Sequence, residues 1–359
     1  KEFIKTFKNK KILITGHTGF KGSWMTMWLS IVGAKIYGVS LNNSSVTNMF
    51  SKLKFENLIE DLRIDLTDLS KTKKIIKKIK PDFIFHLAAQ PLVLDSIKDP
   101  IKTIYANTIT SLNILETLKE IEFNINCIFV TTDKVYENIN INRGYNEKDK
   151  LGGKDIYSAS KAMTEIAIHS YNYSFLKHKP KIKIATGRPC NCIGGGDWSA
   201  NRLIPDIVKK WSKNKSVSIR NPEAIRPWQH VLEPVGGYLY LAYKLSKYKS
   251  LNGQTFNFGP NISHNLPVID IANKMKKNWN YNKISIKQDS SDIEAGLLKI
   301  NCSKAKKILK WTPVWNIDET LNYTNDWYLK YYSKKYDMNK ITANQIMDYQ
   351  KLASKKWNK

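Results

Sequence analysis

Residues 11–24 read KILITGHTGFKGSW, and this stretch decides the fold. The run 11–15 is a short apolar segment with the look of a buried strand. Gly16, Gly19 and Gly22 follow at three-residue spacing, and beyond them Trp24, Met27, Trp28 and Ile31 recur at helical spacing. Strand, glycine loop, helix is the setting in which G-x-x-G-x-x-G cradles a dinucleotide instead of making a plain turn. Gly16 permits the tight turn, Gly19 lets backbone approach a pyrophosphate, and Gly22 lets helix pack on strand. The helix start offers N–H groups and a positive dipole end to phosphates. His17 and Lys21, on either side of Phe20's turn, are expected to add positive charge there.

Further strands are expected at 35–41, 62–66, 82–87, 126–132 and 183–187, with helical patterns between them. This alternation predicts an α/β fold with a doubly wound parallel sheet. Ligands of such sheets bind past the strands' carboxyl ends. The second strand ends at Ser40, Asn42 and Asn43, with neither an acid for a ribose nor an arginine for a 2′-phosphate. Asp65, beside Leu66, can accept from an adenine amino group; Asp68 or Ser70 can cap the lysine-rich helix that follows. Leu87, Ala88, Ala89 and Gln90 leave a strand end small enough for a flat cofactor, and His86 reads as a packed strand histidine. Asn107 either ties its helix to the sheet or is a satisfied buried amide.

The chain has 359 residues and a formal charge of +27, its lysines spread along the whole length. That size fits two lobes. The spread charge, without finger, zipper or RNA-binding signature, reads as a solvated basic surface, so no nucleic-acid partner is expected. No apolar run is long enough for a membrane span, so no membrane partner is expected either. Four cysteines do not make a disulfide framework, and Cys190-x-Cys192 lacks a second ligand pair, so no metal is expected and the thiols read as reduced and cytoplasmic.

The chemistry concentrates in 130–161. An apolar strand runs into Thr131-Thr132-Asp133-Lys134, and Tyr157-Ser158-Ala159-Ser160-Lys161 opens a helical pattern reaching about residue 175. Tyr157 and Lys161 share a helix face. An ammonium near a phenol lowers its pKa and makes a base for a hydroxyl proton. A solvated helix face and an exposed turn are the plainer readings of these two pieces.

TGHTGFKGSW at 15–24, HLAAQPLV at 86–93, TTDKVYEN at 131–138 and YSASK at 157–161 together resemble the extended short-chain dehydrogenase/reductase family, in its nucleotide-sugar branch. GGGDW at 194–198, RLIPDI at 202–207, RPWQHVLEP at 226–234, FNFGP at 256–260 and EAGLLKINCSKA at 294–305 extend the likeness through almost the whole chain. Asp133-Lys134 places it nearest the 4,6-dehydratases that act on CDP-glucose. The resemblance implies a Rossmann domain with tightly held NAD, cycled and not consumed, a smaller carboxyl-terminal α/β lobe for the sugar nucleotide, and conversion of CDP-glucose to CDP-4-keto-6-deoxyglucose with loss of water. By position it implies Tyr157 and Lys161 as the proton-abstracting pair, Thr132 as the hydroxyl-orienting residue, and Asp133 and Lys134 as the pair that eliminates water across C5 and C6. Which of those two is acid and which is base stays open.

For the cofactor the candidates are Gly16, His17, Gly19, Phe20, Lys21, Gly22, Asp65, Leu66, Leu87, Ala88, Ala89, Gln90, Asn107, Thr131, Tyr157 and Lys161. For the sugar nucleotide they are Gln90, Thr132, Asn191, Asp197, Trp198, Arg202, Leu203, Arg226 and His230. Arginine forks at 202 and 226 suit a diphosphate. Trp198 either stacks on a base or packs in the core. The expected division is 1–187 with 230–262 for the cofactor domain, and 188–229 with 263–359 for the substrate lobe. The resemblance also implies a homodimer or homotetramer, built on helices 101–119 and 157–175. The alternatives are a dehydratase or epimerase for another nucleotide sugar, and a non-catalytic Rossmann protein that senses dinucleotide or binds RNA.

Overall fold

The computed structural model describes residues 2–41, 48–261, 265–286 and 297–357. Asn42 and Asn43, at the expected ribose position, and Glu294 of the last motif lie outside the described residues.

Seven parallel strands form the central sheet. They are β1 (Lys11–Thr15), β2 (Lys35–Ser40), β3 (Glu60–Arg63), β4 (Phe83–His86), β5 (Ile125–Val130), β6 (Ile182–Pro189) and, after a short outlying strand β7 (Val217–Ile219), β8 (Gln254–Phe258). Their order is β3-β2-β1-β4-β5-β6-β8, so the winding reverses between β1 and β4. Thr15 pairs with Val39 on one side and His86 on the other, which opens a crevice at that switch point. The inner strands are buried on both faces and read as unbroken apolar runs for that reason.

Helices cover both faces. α1 (Phe20–Val32), α2 (Leu69–Ile79), α3 (Thr110–Glu120) and α4 (Ile156–Tyr171) follow β1, β3, β4 and β5. One core, with Ile76, Ile114, Leu118 and Phe129, lies between α2, α3, α4 and the sheet. The larger one, with Trp24, Trp28, Tyr238 and Trp357, lies on the opposite face and continues into the second lobe. α5 (Leu203–Trp211) packs beside β7, which pairs in parallel with β9 (Ile284–Ile286), away from the main sheet. α6 (Leu232–Lys247) returns to the sheet and delivers β8 to the edge of β6. α7 (Ile317–Ser333) starts with a capping box made by Asn316 and Glu319.

Three elements differ from the sequence reading. The third strand ends at Arg63, short of Leu66, because Asp65 turns the chain: its Oδ1 accepts from Thr67 N at 2.9 Å and Thr67 Oγ1 at 2.8 Å. Leu66 is buried against α2 as a helix-start packing residue, and Asp68 caps α2 by accepting from Lys71 N. The helix expected over 101–119 is interrupted by a π turn at Tyr105–Ile109, and α4 is followed by another at Asn172–Leu176. The carboxyl-terminal helix α8 (Met338–Trp357) packs against α7, α1 and α6. Trp28 Nε1 donates to Gln350 Oε1 at 2.8 Å, and Tyr240 OH to Trp357 O at 2.8 Å. Glu233 on α6 accepts from Val314 N, Trp315 N and Tyr349 OH, which fastens α8 and the strand-like run before α7 to α6. None of the described helices is long and apolar enough to cross a membrane.

Candidate active site

The loop after β1 is tight for a steric reason. Gly16 holds φ +73°, and a Cβ there would lie 2.7 Å from Ala88 N. A Cβ on Gly22 would lie 2.2 Å from the Gly16 carbonyl oxygen. Neither position admits a side chain, so the loop, α1 and the exit of β4 approach at backbone distance. Gly19, the N-cap of α1, has no side chain to satisfy the first-turn N–H groups. Those groups face the crevice as donors for an anion.

His17 does not serve there. Its ring is buried edge-on against Phe50, with Nε2 2.9 Å from Asp61 Oδ1 on β3. Gly38 of β2 makes the room, since a Cβ there would meet the ring at 2.6 Å. Burial holds the His17 pKa down against the pull of Asp61, so the ring is neutral at pH 7 and adds no charge beside a phosphate. Phe20 and Lys21 do line the cavity, and the Lys21 charge acts on Asp133 and Lys161. An arginine does stand at the end of β2, supplied by β3 through the Ser40–Arg63 register. Arg63 donates to Ser40 Oγ at 2.8 Å and to Asp61 Oδ2 at 2.6 Å, which occupies much of its fork.

Asn107 sits in the π turn, where the widened helix lets its amide reach two neighbours. Oδ1 accepts from Gln90 N at 2.7 Å, while Nδ2 donates to Gln90 O at 3.1 Å and to Ser160 Oγ at 2.9 Å. It therefore binds the loop after β4, with Leu87, Ala88 and Ala89, to α4. The Gln90 side chain turns back to Leu92 O and Thr103 Oγ1 and is not among the residues that line the cavity. Asp65 is engaged in its own turn.

At the end of β5 the chain enters a single 3-10 turn, Asp133–Val135, capped by the Thr132 hydroxyl, which accepts from Lys134 N. Thr132 Oγ1 donates to Asp133 Oδ1 at 3.1 Å. Asp133 is 2% exposed, and its Oδ2 meets no partner among the described residues. Burial raises the Asp133 pKa against the charge of the adjacent, half-buried Lys134. Tyr157 opens α4, which Asp155 caps by accepting from Ser158 N at 2.9 Å. Thr132, Asp133, Lys134 and Tyr157 line one cavity.

Lys161 lies beneath Tyr157, 3% exposed, and donates to Val130 O at 3.3 Å. Burial lowers its pKa to about 8, helped by Lys21 and opposed by Glu165. The phenol is not lowered as the helix spacing suggested. Burial pushes Tyr157 up to about 12, with Thr132 and Arg202 pulling the other way. Desolvation outweighs the charges around this ring, and the Lys161 ammonium is directed at the β5 backbone.

Behind the turn lies a buried network that the sequence reading missed. Arg188 on β6 grips Glu165 on α4, donating from Nε to Oε1 at 2.7 Å and to Oε2 at 2.9 Å. Its Nη1 donates to Tyr136 OH at 2.7 Å, and Tyr136 OH to Asn257 Oδ1 at 2.7 Å. Thr131 Oγ1 donates to Glu165, so its hydroxyl points into this network. The only sequence signal was Glu165, four residues past Lys161 on the same helix face.

From the second lobe, Asn191, Asp197, Arg202, Leu203 and Arg226 line the cavity. Arg202 Nη1 donates to Asp197 Oδ2 at 3.0 Å. Trp198 is half-buried, packs against Tyr331 and Trp327, and is not among the residues that line the cavity. His230 is fully buried between Trp24 and Trp315, its pKa driven down to about 3 by burial, and it does not reach the cavity. Pro205, Asp206, Arg220, Trp228 and Val268 line the cavity too, and none was singled out from sequence.

The family described as GDP-mannose 4,6 dehydratase matches residues 13–324. A CDP-glucose 4,6-dehydratase of Salmonella typhimurium is 37% identical over 349 residues, covering 96% of this chain and 97% of its own. Among solved structures, a dTDP-glucose 4,6-dehydratase from Bacillus anthracis in complex with NAD superposes with a TM-score of 0.75 at 21% identity, covering 93% of this chain and 99% of its own. A UDP-glucose 4-epimerase from Thermotoga maritima with UDP-glucose gives 0.77 at 22% identity, covering 89% and 99%.

Proposed function

The chain belongs to the GDP-mannose 4,6 dehydratase family, and from that premise we propose that it is an NAD-dependent nucleotide-sugar 4,6-dehydratase, a hydro-lyase that acts on CDP-glucose. The observation that carries this reading is the meeting of Asp133, Lys134 and Tyr157 in one cavity. An epimerase needs a group at C4 alone. A dehydratase also needs an acid and a base for C6 and C5, and the Asp133–Lys134 turn supplies a second acid–base pair beside Tyr157.

The crevice fits NAD on its own geometry. Gly16 and Gly22 let the loop, α1 and the exit of β4 close to backbone distance, and the uncapped start of α1 offers N–H donors to a pyrophosphate. Gly16, Gly19, Phe20, Lys21 and Gly22 would hold the phosphates, and Leu87 to Gln90, fixed by Asn107, would border the rest. NAD when bound supplies reversible uptake of hydride.

The side chains carry the protons. Tyr157 receives the proton of the sugar's C4 hydroxyl in its phenolate form, the minor form at pH 7 because burial raises the phenol against the pull of Thr132 and Arg202, and Thr132 orients that hydroxyl. Once C4 is a ketone, the C5 proton is acidified, and Lys134 removes it. Burial favours the neutral form of Asp133, which suits donation of its proton to the departing C6 hydroxyl as water. This supports Asp133 as the acid and Lys134 as the base. That Arg202, Arg226 and Asn191 all line the cavity supports them as the residues that meet the diphosphate.

Ile101, Tyr105, Ile166 and Tyr173 are all more than half exposed on the helices around the two π turns. An apolar face of that kind supports self-association of the chain, as a dimer or tetramer. The four cysteines are unpaired, which supports a reducing, cytoplasmic setting.

The test is incubation of purified protein with CDP-glucose, dTDP-glucose, UDP-glucose and GDP-mannose in separate tubes without added reductant, followed by product mass. Loss of one water from the CDP sugar alone is the expected result. Water loss from a different donor would overturn the substrate, and no loss from any would overturn the reaction.

A further inference from the structure

The cavity has a reacting end and a far end, and the two are built from different chemistry. Asp133, Lys134 and Tyr157 stand at the first. The charges of Arg202 and Arg226 act on Tyr157 and Asp133 respectively, so both arginines border that end. The rest of the wall includes α5 and β7 with the turn that follows it, where the charges acting on Asp206 are those of Lys209, Arg220 and Lys210 and not those of the catalytic residues. A sugar placed at the reacting end, with its diphosphate at the arginines, leaves its base in this far compartment.

Four carboxylates line the cavity among the described residues: Asp95, Asp133, Asp197 and Asp206. Asp95 lies on the short helix Val93–Lys98 after β4, and Asp133 is in the catalytic turn. Asp197 is taken by Arg202 and by Ser199 N at 3.0 Å. Asp206, in the first turn of α5 and half-buried, is the carboxylate of the far compartment.

We propose that Asp206 is the residue that selects the base, by accepting a hydrogen bond from the amino group of cytosine and opposing the carbonyl that uracil and thymine carry at the same position. The inference rests on the nucleotide-sugar reading given above and deepens it. A carboxylate accepts and does not donate. Cytosine presents an N–H donor at its 4-position, whereas thymine, and uracil likewise, present an oxygen acceptor there. Acceptor facing donor is favourable. Acceptor facing acceptor leaves both groups desolvated and unpaired, which is how a polar pocket rejects a near-isosteric ligand.

Partial burial raises the Asp206 pKa above the ordinary carboxylate value, while the charges of Lys209, Arg220 and Lys210 and a backbone hydrogen bond from Asn201 work toward the ionised, acceptor-only form. The Lys209 ammonium is itself engaged by Trp198 O, and Arg220 Nη2 donates to Asn201 O at 3.3 Å. The competing role for an acid in a first helical turn is to complement the helix dipole. That role is indifferent to which base is bound, so a selectivity ratio separates the two.

The experiment compares kcat/KM for CDP-glucose, UDP-glucose and dTDP-glucose in wild type and in Asp206→Asn, whose amide can turn either a donor or an acceptor to the base. The expected result is a fall in the CDP-to-UDP ratio on the order of 10- to 100-fold, carried by KM more than by kcat. An unchanged ratio overturns the proposal, and so does an equal loss on all donors, which is the signature of the helix-dipole role. If Asp206→Asn does not fold, calorimetric binding of CMP against UMP to wild type at pH values on both sides of the Asp206 titration reads the same preference. A preference that does not weaken as the carboxylate is protonated then overturns the proposal. Wild type that dehydrates CDP-glucose while Asp206→Asn keeps its selectivity refutes only the role of Asp206. Wild type that prefers a uridine or thymidine donor refutes the substrate assignment as well.

Discussion

Glu165 and Arg188 meet as an ion pair with both side chains 4% exposed, one helical turn past Lys161 and directly behind the Asp133 turn. Removal of one partner leaves the other as an uncompensated buried charge. Arg188→Met is expected to destabilise the fold by about 3–5 kcal/mol. The Glu165→Leu/Arg188→Met double variant is expected to recover much of that loss, since neither charge then remains. Chemical denaturation of the three proteins decides it, and a single variant as stable as wild type would refute the account.

Tyr157→Phe removes the hydroxyl that receives the C4 proton and leaves the ring's packing in place. Turnover is expected to fall by about 10²–10⁴-fold with bound NAD retained. Product formation gives the first quantity, and absorbance of nucleotide released on denaturation the second. Unchanged turnover removes Tyr157 from the chemistry.

Lys134→Ala should separate oxidation from elimination. The sugar is expected to be oxidised at C4, with reduced nucleotide accumulating at 340 nm, while loss of water is blocked. Normal formation of the 6-deoxy product would show that Lys134 is not the base.

His86 gives a pH signature in stability. Its Nδ1 lies 2.7 Å from Thr15 Oγ1 and its Nε2 2.8 Å from Ser111 Oγ, and burial, with Lys161 adding to it, holds its pKa near 3. An unfolded histidine titrates near 6.5, so between about 6.5 and 3 the unfolded chain binds the extra proton. The stability that His86 contributes is therefore full above 6.5 and is lost on acidification. From pH 7 to pH 5 wild type is expected to lose about 2 kcal/mol more than His86→Gln. Glu233, which burial raises to about 7, works in the opposite direction: its contribution is present below its unfolded value and is lost as pH rises through 7. The difference between the two proteins, and not the slope of either, is the readout. Parallel slopes would mean that His86 is protonated inside the fold.

Much of this was legible because it is local. The glycines at 16, 19 and 22 announce their loop through steric need, and the loop has the tightness they imply. The Thr132, Asp133, Lys134 and Tyr157 cluster was readable because each residue ends a strand or opens a helix, and the winding order brings such ends together. What was not legible depends on partners distant in sequence. His17 looks cationic until Gly38 and Asp61 from the next two strands enclose it. Arg63 reaches the end of β2 only through sheet register. Trp198 and His230 carry the chemistry of ligand residues, but rings from α1 and from the region of α7 claim them for the core. The Tyr157 pKa was misjudged because helix spacing reports which side chains are near each other and says nothing of how dry their surroundings are.

The hydrogen bond from Trp28 to Gln350 joins residues 322 apart. At ribosomal speeds, α1 waits on the order of tens of seconds between its own synthesis and that of the helix that covers it. During that interval the nascent chain carries Trp28 without its final cover, so part of the core made first is completed last. Late completion of an early-made core gives this chain a long window in which chaperones, and not the final contacts, protect that indole.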